Sequence, residues 1–413
     1  MTIKEKLYQF LRWLGKYTKT DMVYVAEGSF WLTLGRVFGS LASFLILVAF
    51  AHFASKEVYG GYQYIISMAA MIGILSLPGI DTALIRAIAK GKEKTFFLCE
   101  KEKLKFGFFS FLVFSLISVW YFFHKNLELT ISFLIAGIFL PLTAVFSLYL
   151  AFWQGKKNFK VQNRYYVFHN FLAAALLFLI IFLRPNLIWI VFGYFFAFSL
   201  ATFIFYTKTK NKVKKESGED KETISFGKHL TIMSLPGTIS AQIDNVILWQ
   251  FTNPVAVASY AYALRVVERL NELIPFSTLA LPKMAERNLK EIKGRIFDKF
   301  LKLFLFSIPF YIAYFLICPY FFKIFFPTYL ESVFYSQILA LILILSPFSL
   351  LSTVFLAEMK KRELYMLNIV PQILKIILFA ILIPLFGIWG GIYSILASQI
   401  FYSLLTLYFF QKL

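Results

Sequence analysis

Stretches such as FFSFLVFSLISVWYFF and IILFAILIPLF recur along this chain within apolar runs of about 20 residues, the length a helix needs to cross some 30 Å of hydrocarbon. Inside a bilayer every backbone N–H and C=O must be satisfied within the protein, which leaves helices and closed barrels as spanning forms. Barrel strands alternate in hydrophobicity every second residue. These runs do not alternate, so helices are expected. The composition agrees: 59% of the 413 residues are hydrophobic, 15% are charged and the mean hydropathy is +0.71, against roughly 25% charged in a soluble protein. The expected fold is an all-α polytopic membrane protein with twelve spans. They centre on residues 30–52, 59–83, 106–123, 129–152, 165–183, 187–206, 230–251, 255–280, 300–320, 332–356, 365–385 and 389–410. The segment MTIKEKLYQFLRWLGKYTK has no early apolar core and no small-residue cleavage site, so no cleavable signal peptide is expected.

The net charge of +20 raises nucleic acid as a partner, and the position of the charges decides against it. Of the 42 basic residues, 34 fall in the termini and in every second connection; only Lys56, Lys125, Arg184 and Lys323 lie in the other set. The positive-inside rule then puts both termini in the cytoplasm, with the chain multi-pass in the cytoplasmic (inner) membrane. Cys99, expected in a cytoplasmic loop, and Cys318, in a span, are too few for a disulfide framework or a zinc cluster.

The strongly hydrophilic linker KTKNKVKKESGEDKETISFGKH lies near the midpoint and has the composition of a mobile tether. The chain therefore divides into a cytoplasmic amphipathic segment (1–24), an N-lobe of six helices (25–207), the linker (208–228) and a C-lobe of six (229–413). In the first segment Leu7, Phe10, Leu11 and Leu14 can share a face, as in a helix lying on an anionic leaflet; a frayed basic tail is the alternative. Sliding the halves by 198 residues aligns Phe53 with Phe251, Tyr62 with Tyr260 and Tyr64 with Tyr262. Halves with an even number of spans share orientation, which predicts a parallel repeat about the membrane normal.

Four charges interrupt the eighth span: Arg265, Glu268, Arg269 and Glu272. At about 100° per residue they share one sector, leaving Val266, Val267, Leu270 and Leu273 on the rest of the surface. A charge at a span's centre costs about 2.5–3.5 kcal/mol, so four facing lipid are excluded. Either they neutralise one another through the i,i+3 pairs Arg265–Glu268 and Arg269–Glu272, or they line an aqueous cavity and offer guanidinium forks to an anionic substrate. Arg36 in the first span, Asp244 in the seventh and Lys375 in the eleventh favour the cavity. Asp244 is a candidate for coupling to protons or sodium, or the ion-pair partner of Arg265 or Arg269. It follows Pro236-Gly237, where a kink or unwinding is expected. In the first span Gly35, Gly39 and Ser43 form a small-residue strip for close helix packing. Asp81 and Arg86 read as boundary residues, and His169 as an interhelical hydrogen-bonding residue.

The stretch FASKEVYGGYQYIISMAAMIGILSLPGIDTALIRAIAKG, with Glu57, Tyr59-Gly60, Gly79 and Ala83-Leu84-Ile85-Arg86, resembles the start of bacterial polysaccharide repeat-unit flippases of the Wzx type. Asp244, Tyr260 to Ala263 and Pro282 fall where that family has an aspartate, a Tyr-led opening and a closing proline. Ser259 stands at a position where the family usually has glycine. The resemblance implies the multidrug/oligosaccharidyl-lipid/polysaccharide exporter superfamily, with two pseudo-symmetric six-helix lobes around a central cavity and alternating access. It implies an undecaprenyl-diphosphate-linked oligosaccharide as substrate, carried to the outer leaflet for assembly of a surface polysaccharide such as O-antigen. On this reading Arg36, Arg265, Arg269 and Lys375 contact the diphosphate or acidic sugars, Asp244 couples an ion, and Glu268 and Glu272 position the arginines. The expected partners are that lipid-linked oligosaccharide, membrane lipids and further polysaccharide assembly proteins. No cofactor, metal or enzymatic step is expected.

A multidrug exporter of the same superfamily is the first rival, and the intramembrane cations argue against it. A membrane glycosyltransferase or polymerase is the second. Outer connections as short as Ala54 to Val58 and Thr252 to Pro254 leave no room for its catalytic loop. No Gly-rich phosphate loop is present to support nucleotide hydrolysis.

Overall fold

A computed structural model describes residues 22–214, 216–272 and 289–412. Most of the expected amphipathic segment, residues 1–21, and the end of the eighth span with the residues after it, 273–288, lie outside the described residues. The regular structure of the described residues is helical, with helices at each of the twelve expected segments. In order they are α1 (Met22–Phe53), α2 (Lys56–Ile72), α3 (Gly79–Ala89), α4 (Thr95–Phe123), α5 (Leu127–Phe146), α6 (Leu148–Gly155), α7 (Phe159–Leu183), α8 (Leu187–Lys210) and α9 (Glu222–Ser240). There follow α10 (Ile243–Phe251), α11 (Pro254–Glu272), α12 (Leu289–Phe325), α13 (Ser332–Leu339), α14 (Leu341–Leu345), α15 (Phe348–Ala357), α16 (Lys361–Phe386) and α17 (Ile388–Lys412).

Among the described residues, eight helical segments are long and apolar enough to cross a membrane, or nine if the pair Ser332–Leu345 and Phe348–Ala357, bent by 42°, is one span. Three of the twelve expected segments fall outside this count; in the first, the apolar stretch Val37–Phe53 is shorter than 18 residues among those described. The seventh segment is broken at Ala241–Gln242 into α9 and α10, and α11 carries the charged stripe, so neither holds a long apolar run. The break falls a turn after Pro236-Gly237, and α9 continues through the proline.

Asparagines start three helices: the Asn126, Asn158 and Asn186 side chains accept from the backbone N–H groups of Leu129 (3.0 Å), Val161 (3.1 Å) and Trp189 (3.0 Å). Each satisfies an N–H that has no partner within its own helix.

Contacts gather the chain into two units. One comprises the described residues up to Ala49 with Ile72–Met233, the other Phe50–Met71 with Ser234–Leu413. Helix α2 therefore belongs with the C-terminal helices, and the first part of α9 with the N-terminal ones. The core of the first unit is built on Ile80, Leu84, Phe96, Tyr149 and Phe152; that of the second on Leu248, Val257, Tyr260, Phe379 and Ile392.

In the first unit, a Cβ on Gly35 would collide with the Asn163 side chain and one on Gly39 would lie 3.3 Å from Tyr166 Oη, so the strip read from the sequence is a contact of α1 with α7. Lys103, 1% exposed, donates to Asp81 Oδ1 (2.7 Å) and to the Ala144 carbonyl (3.0 Å). His169 Nδ1 lies 3.2 Å from Tyr149 Oη, consistent with an interhelical hydrogen bond. Cys99 is buried in α4 rather than lying in a loop.

The central linker is not a free tether. Lys94 N donates to Ser217 Oγ (2.9 Å), Asp220 N to Thr95 Oγ1 (2.9 Å) and Lys214 N to Glu93 Oε2 (3.1 Å). The Lys92–Asp220 and Lys94–Glu219 ion pairs add to these, and Lys156 pairs with the buried Glu93. Opposite charges on two segments far apart in sequence offset the entropy that composition alone assigns to a tether. Glu93→Ala leaves Lys156 unpaired and the Lys214 N–H without its acceptor. It should destabilise this clamp by about 1–3 kcal/mol and sharply raise trypsin cleavage at Lys214 and Lys221 in intact protein.

Candidate functional site

The break in the seventh segment sets the site. Asp244 falls in the first turn of α10, where the free N–H groups and positive end of a helix favour a carboxylate. Its Oδ1 accepts from Asn245 N (2.8 Å) and its Oδ2 from Tyr260 Oη of α11 (2.8 Å). Both Asp244 and Tyr260 are buried. Asn245 Nδ2 donates to Ser67 Oγ on α2 (3.0 Å), while Asn245 Oδ1 is buried with no hydrogen-bond partner among the described residues. One turn along α2, Gln63 Nε2 donates to Tyr59 Oη (2.7 Å), and Gln63 Oε1 is likewise buried and open. Ser240, just before the break, bonds to Gln372 of α16.

Arg265 and Lys375 lie close enough to act electrostatically on Asp244, and Glu268 acts on Lys375 in turn. Arg265 Nη1 is 3.2 Å from Glu268 Oε2, one of the two i,i+3 pairs read from the sequence. This pair is not sealed in a dry contact: its side chains are 35% and 44% exposed. Lys375 Nζ stands 5.5 Å from the centroid of the Phe379 ring, a cation–π distance. One unit thus brings together Asp244, Arg265, Glu268 and Lys375 from three helices. Arg269 is exposed on the same helix. Arg36 lies on α1 and Glu272 ends α11, and both side chains are outside the described residues.

Sequence reasoning missed what holds this cluster. Asp244 has Tyr260 as its hydrogen-bonding partner, and the arginine acts through space. Tyr260 was visible only as a motif residue. Tyr59, Tyr262 and Tyr329 also pack together: Tyr262 stacks on Tyr329 with centroids 3.8 Å apart, and Tyr59 meets Tyr262 tilted by 45° at 4.6 Å. Gly60 brings α2 against the start of α11, since a Cβ there would collide with the Pro254 carbonyl.

The start of α2 is tied down as well. Lys56 Nζ donates to Glu331 Oε1 (2.6 Å), and Ser259 Oγ donates to the same oxygen (2.9 Å). Burial alone would raise the Glu331 carboxyl; the hydrogen bonds from Lys56 and Ser259 outweigh it and hold the group below its ordinary value. A carboxyl depressed in the folded state adds stability that is present above its unfolded value of about 4.3 and is lost as pH falls through the lower folded value. Thermal melts between about pH 6 and about pH 3 should therefore fall less steeply for Lys56→Met than for wild type.

The guanidinium and ammonium groups can attract an anionic group, and the Asp244 carboxylate lies within their field. Among the described residues no three His, Cys, Asp or Glu side chains gather as a resident metal needs.

The fold is similar to those of solved membrane transporters. The chain superposes on an inward-facing multidrug resistance MATE family transporter of the MOP superfamily with TM-score 0.66 and 14% identity, covering 91% of this chain and 94% of that one. The lipid II flippase MurJ in an inward closed conformation gives TM-score 0.65 and 14% identity over 93% and 87%. An outward-facing MATE family transporter gives 0.60 and 13% over 93% and 94%. At such identities the likeness is one of fold. No curated protein matches the sequence. A family model described as "Polysaccharide biosynthesis protein" matches residues 25–287, which include α2, the broken seventh segment and α11. This multi-pass membrane protein belongs to the polysaccharide biosynthesis protein family and has the fold of the MOP-superfamily transporters.

Proposed function

We propose that the chain is a flippase carrying an undecaprenyl-diphosphate-linked oligosaccharide from the cytoplasmic to the outer leaflet of the cytoplasmic membrane, by alternating access coupled to an ion. The observation that carries this reading is the cationic cluster of Arg265 and Lys375 beside buried Asp244, on membrane helices of a polysaccharide biosynthesis family member. A sugar diphosphate cannot enter hydrocarbon unaided. Guanidinium forks replace part of its hydration while the lipid anchor stays in an apolar setting. Arg265, Arg269, Lys375 and Arg36 are assigned to the anionic head, with Glu268 and Glu272 holding the arginines in place. Asp244, with the open Asn245 Oδ1 next to it, is assigned to a proton or sodium ion. Basic connections and termini face the cytoplasm in this scheme, where further polysaccharide assembly proteins meet the chain. The cations Arg265 and Lys375 disfavour an exporter of organic cations, the rival reading.

The test is outer-leaflet exposure of a lipid-linked oligosaccharide in proteoliposomes. Asp244→Asn keeps the shape and removes the charge; it should abolish the dependence of rate on an imposed proton or sodium gradient and slow transport about tenfold, equivalent to 1.4 kcal/mol. Wild-type rates in Asp244→Asn, Arg265→Ala and Arg269→Ala alike, with normal folding, overturn the assignment.

A further inference from the structure

Six lysines of the first unit, Lys92, Lys94, Lys103, Lys156, Lys210 and Lys228, are taken up in ion pairs. Arg164, Lys208 and Lys212 are exposed, and none of these three forms an ion pair among the described residues. Rings hold two of them in place. Lys212 Nζ stands 5.4 Å from the centroid of the Trp153 ring, and Lys208 Nζ 5.7 Å from that of Phe205. Trp153 is fixed in turn, since its Nε1 donates to Thr209 Oγ1 (2.9 Å), and Phe205 is buried. The Tyr165 ring joins the two, stacked on Phe205 at 4.5 Å and edge-on to Trp153 at 6.2 Å. On the other side of this aromatic ladder the surface becomes apolar. Phe168, 57% exposed, meets Phe205 edge-on at 5.7 Å and shares an outward face of α7 with Phe171 and Leu179. Arg164 lies one turn before Phe168 on that same face.

We propose that this corner of the first unit binds an anionic phospholipid, with its head held by Lys208, Lys212 and Arg164 and its acyl chains along Phe168 and the outward face of α7. Charge chooses the occupant. Like charges without a counter-charge repel one another, and an anion placed among them removes that cost. A zwitterionic head brings an ammonium of its own, which these cations repel. A soluble phosphate carries the charge but leaves Phe168 uncovered. Basic side chains set where a hydrocarbon-facing surface ends are the arrangement by which membrane proteins take up anionic head groups. The site belongs to the first unit and the Asp244 cluster to the second, so the inference holds whatever the chain transports.

The test is native mass spectrometry of the full-length protein in detergent, with phosphatidylglycerol or phosphatidylethanolamine as the added probe. Wild type should bind phosphatidylglycerol in clear preference. Arg164→Gln/Lys208→Gln/Lys212→Gln should lower that affinity about a hundredfold, about fivefold for each cation, and erase the preference. Lys208→Arg/Lys212→Arg keeps the charge and should bind as wild type. Lys90→Gln/Lys101→Gln/Lys105→Gln takes the same charge from exposed positions at the end of α3 and on α4, and should leave binding unchanged. Unaltered binding in the first variant overturns the proposal. So does an equal loss in the Lys90, Lys101 and Lys105 variant, which means diffuse attraction to a basic surface, or a loss in the arginine variant, which means packing. Displacement of the lipid by inorganic phosphate at equal concentration makes this a site for a soluble anion and overturns it as well.

Discussion

Arg265→Glu should lower transport about a hundredfold, equivalent to nearly 3 kcal/mol, with folding retained. The guanidinium pairs with Glu268 at 3.2 Å, and its field reaches Asp244 and Tyr59. Reversal places a third carboxylate among Glu268 and Asp244, leaving Lys375 as the remaining cation acting on Asp244. Reversal also breaks the Arg265–Glu268 pair, but with side chains 35% and 44% exposed that costs well below the about 3–5 kcal/mol of a fully buried pair, so the loss is expected in transport rather than in folding. Arg265→Lys should fall between the two, since an ammonium restores the charge without the planar fork that grips two oxygens. The measurement is initial rate of outer-leaflet exposure per folded protein. A reversal variant that transports as wild type removes Arg265 from the site.

Gly60→Val should destabilise the second unit by about 3 kcal/mol. A Cβ at this position collides with the Pro254 carbonyl, a backbone atom that cannot swing aside. Helix α2 must then withdraw from α11, opening the Tyr59–Tyr262 contact and drawing Ser67 away from Asn245. The readout is the melting temperature in detergent, expected to drop by several degrees. Gly237 supplies the contrast. A Cβ there meets nothing within 4 Å, so Gly237→Ala should stabilise α9 by up to about 1 kcal/mol. If both variants melt alike, close approach at Gly60 does not set the position of α2.

The elements that were legible in the sequence are those with a local cause. Apolar runs located the helices, the i,i+3 spacing gave the Arg265–Glu268 pair, and Gly35 and Gly39 one turn apart gave the packing strip on α1. Local spacing carries no information about partners far along the chain. Nothing near Tyr59 announces that the rings of Tyr262 and Tyr329 pack against it, and nothing near Asp244 announces Tyr260. The linker shows the same limit from the other side. Its Lys/Glu/Ser content reads as mobile because composition ignores where the complementary charges are, and Lys92, Lys94 and Glu93 supply them from more than a hundred residues away.

The exchange of segments between the two units bears on how the chain is made. Phe50–Met71 leaves the ribosome early, yet its packing partners lie in Ser234–Leu413. During synthesis α2 must wait in the bilayer with Gly60, Ser67 and its buried tyrosines uncovered until the later helices are inserted. Neither half, expressed by itself, can complete its own interior. Two fragments cut at the linker should be insertion-competent but depend on each other, and on any membrane chaperone present, to mature.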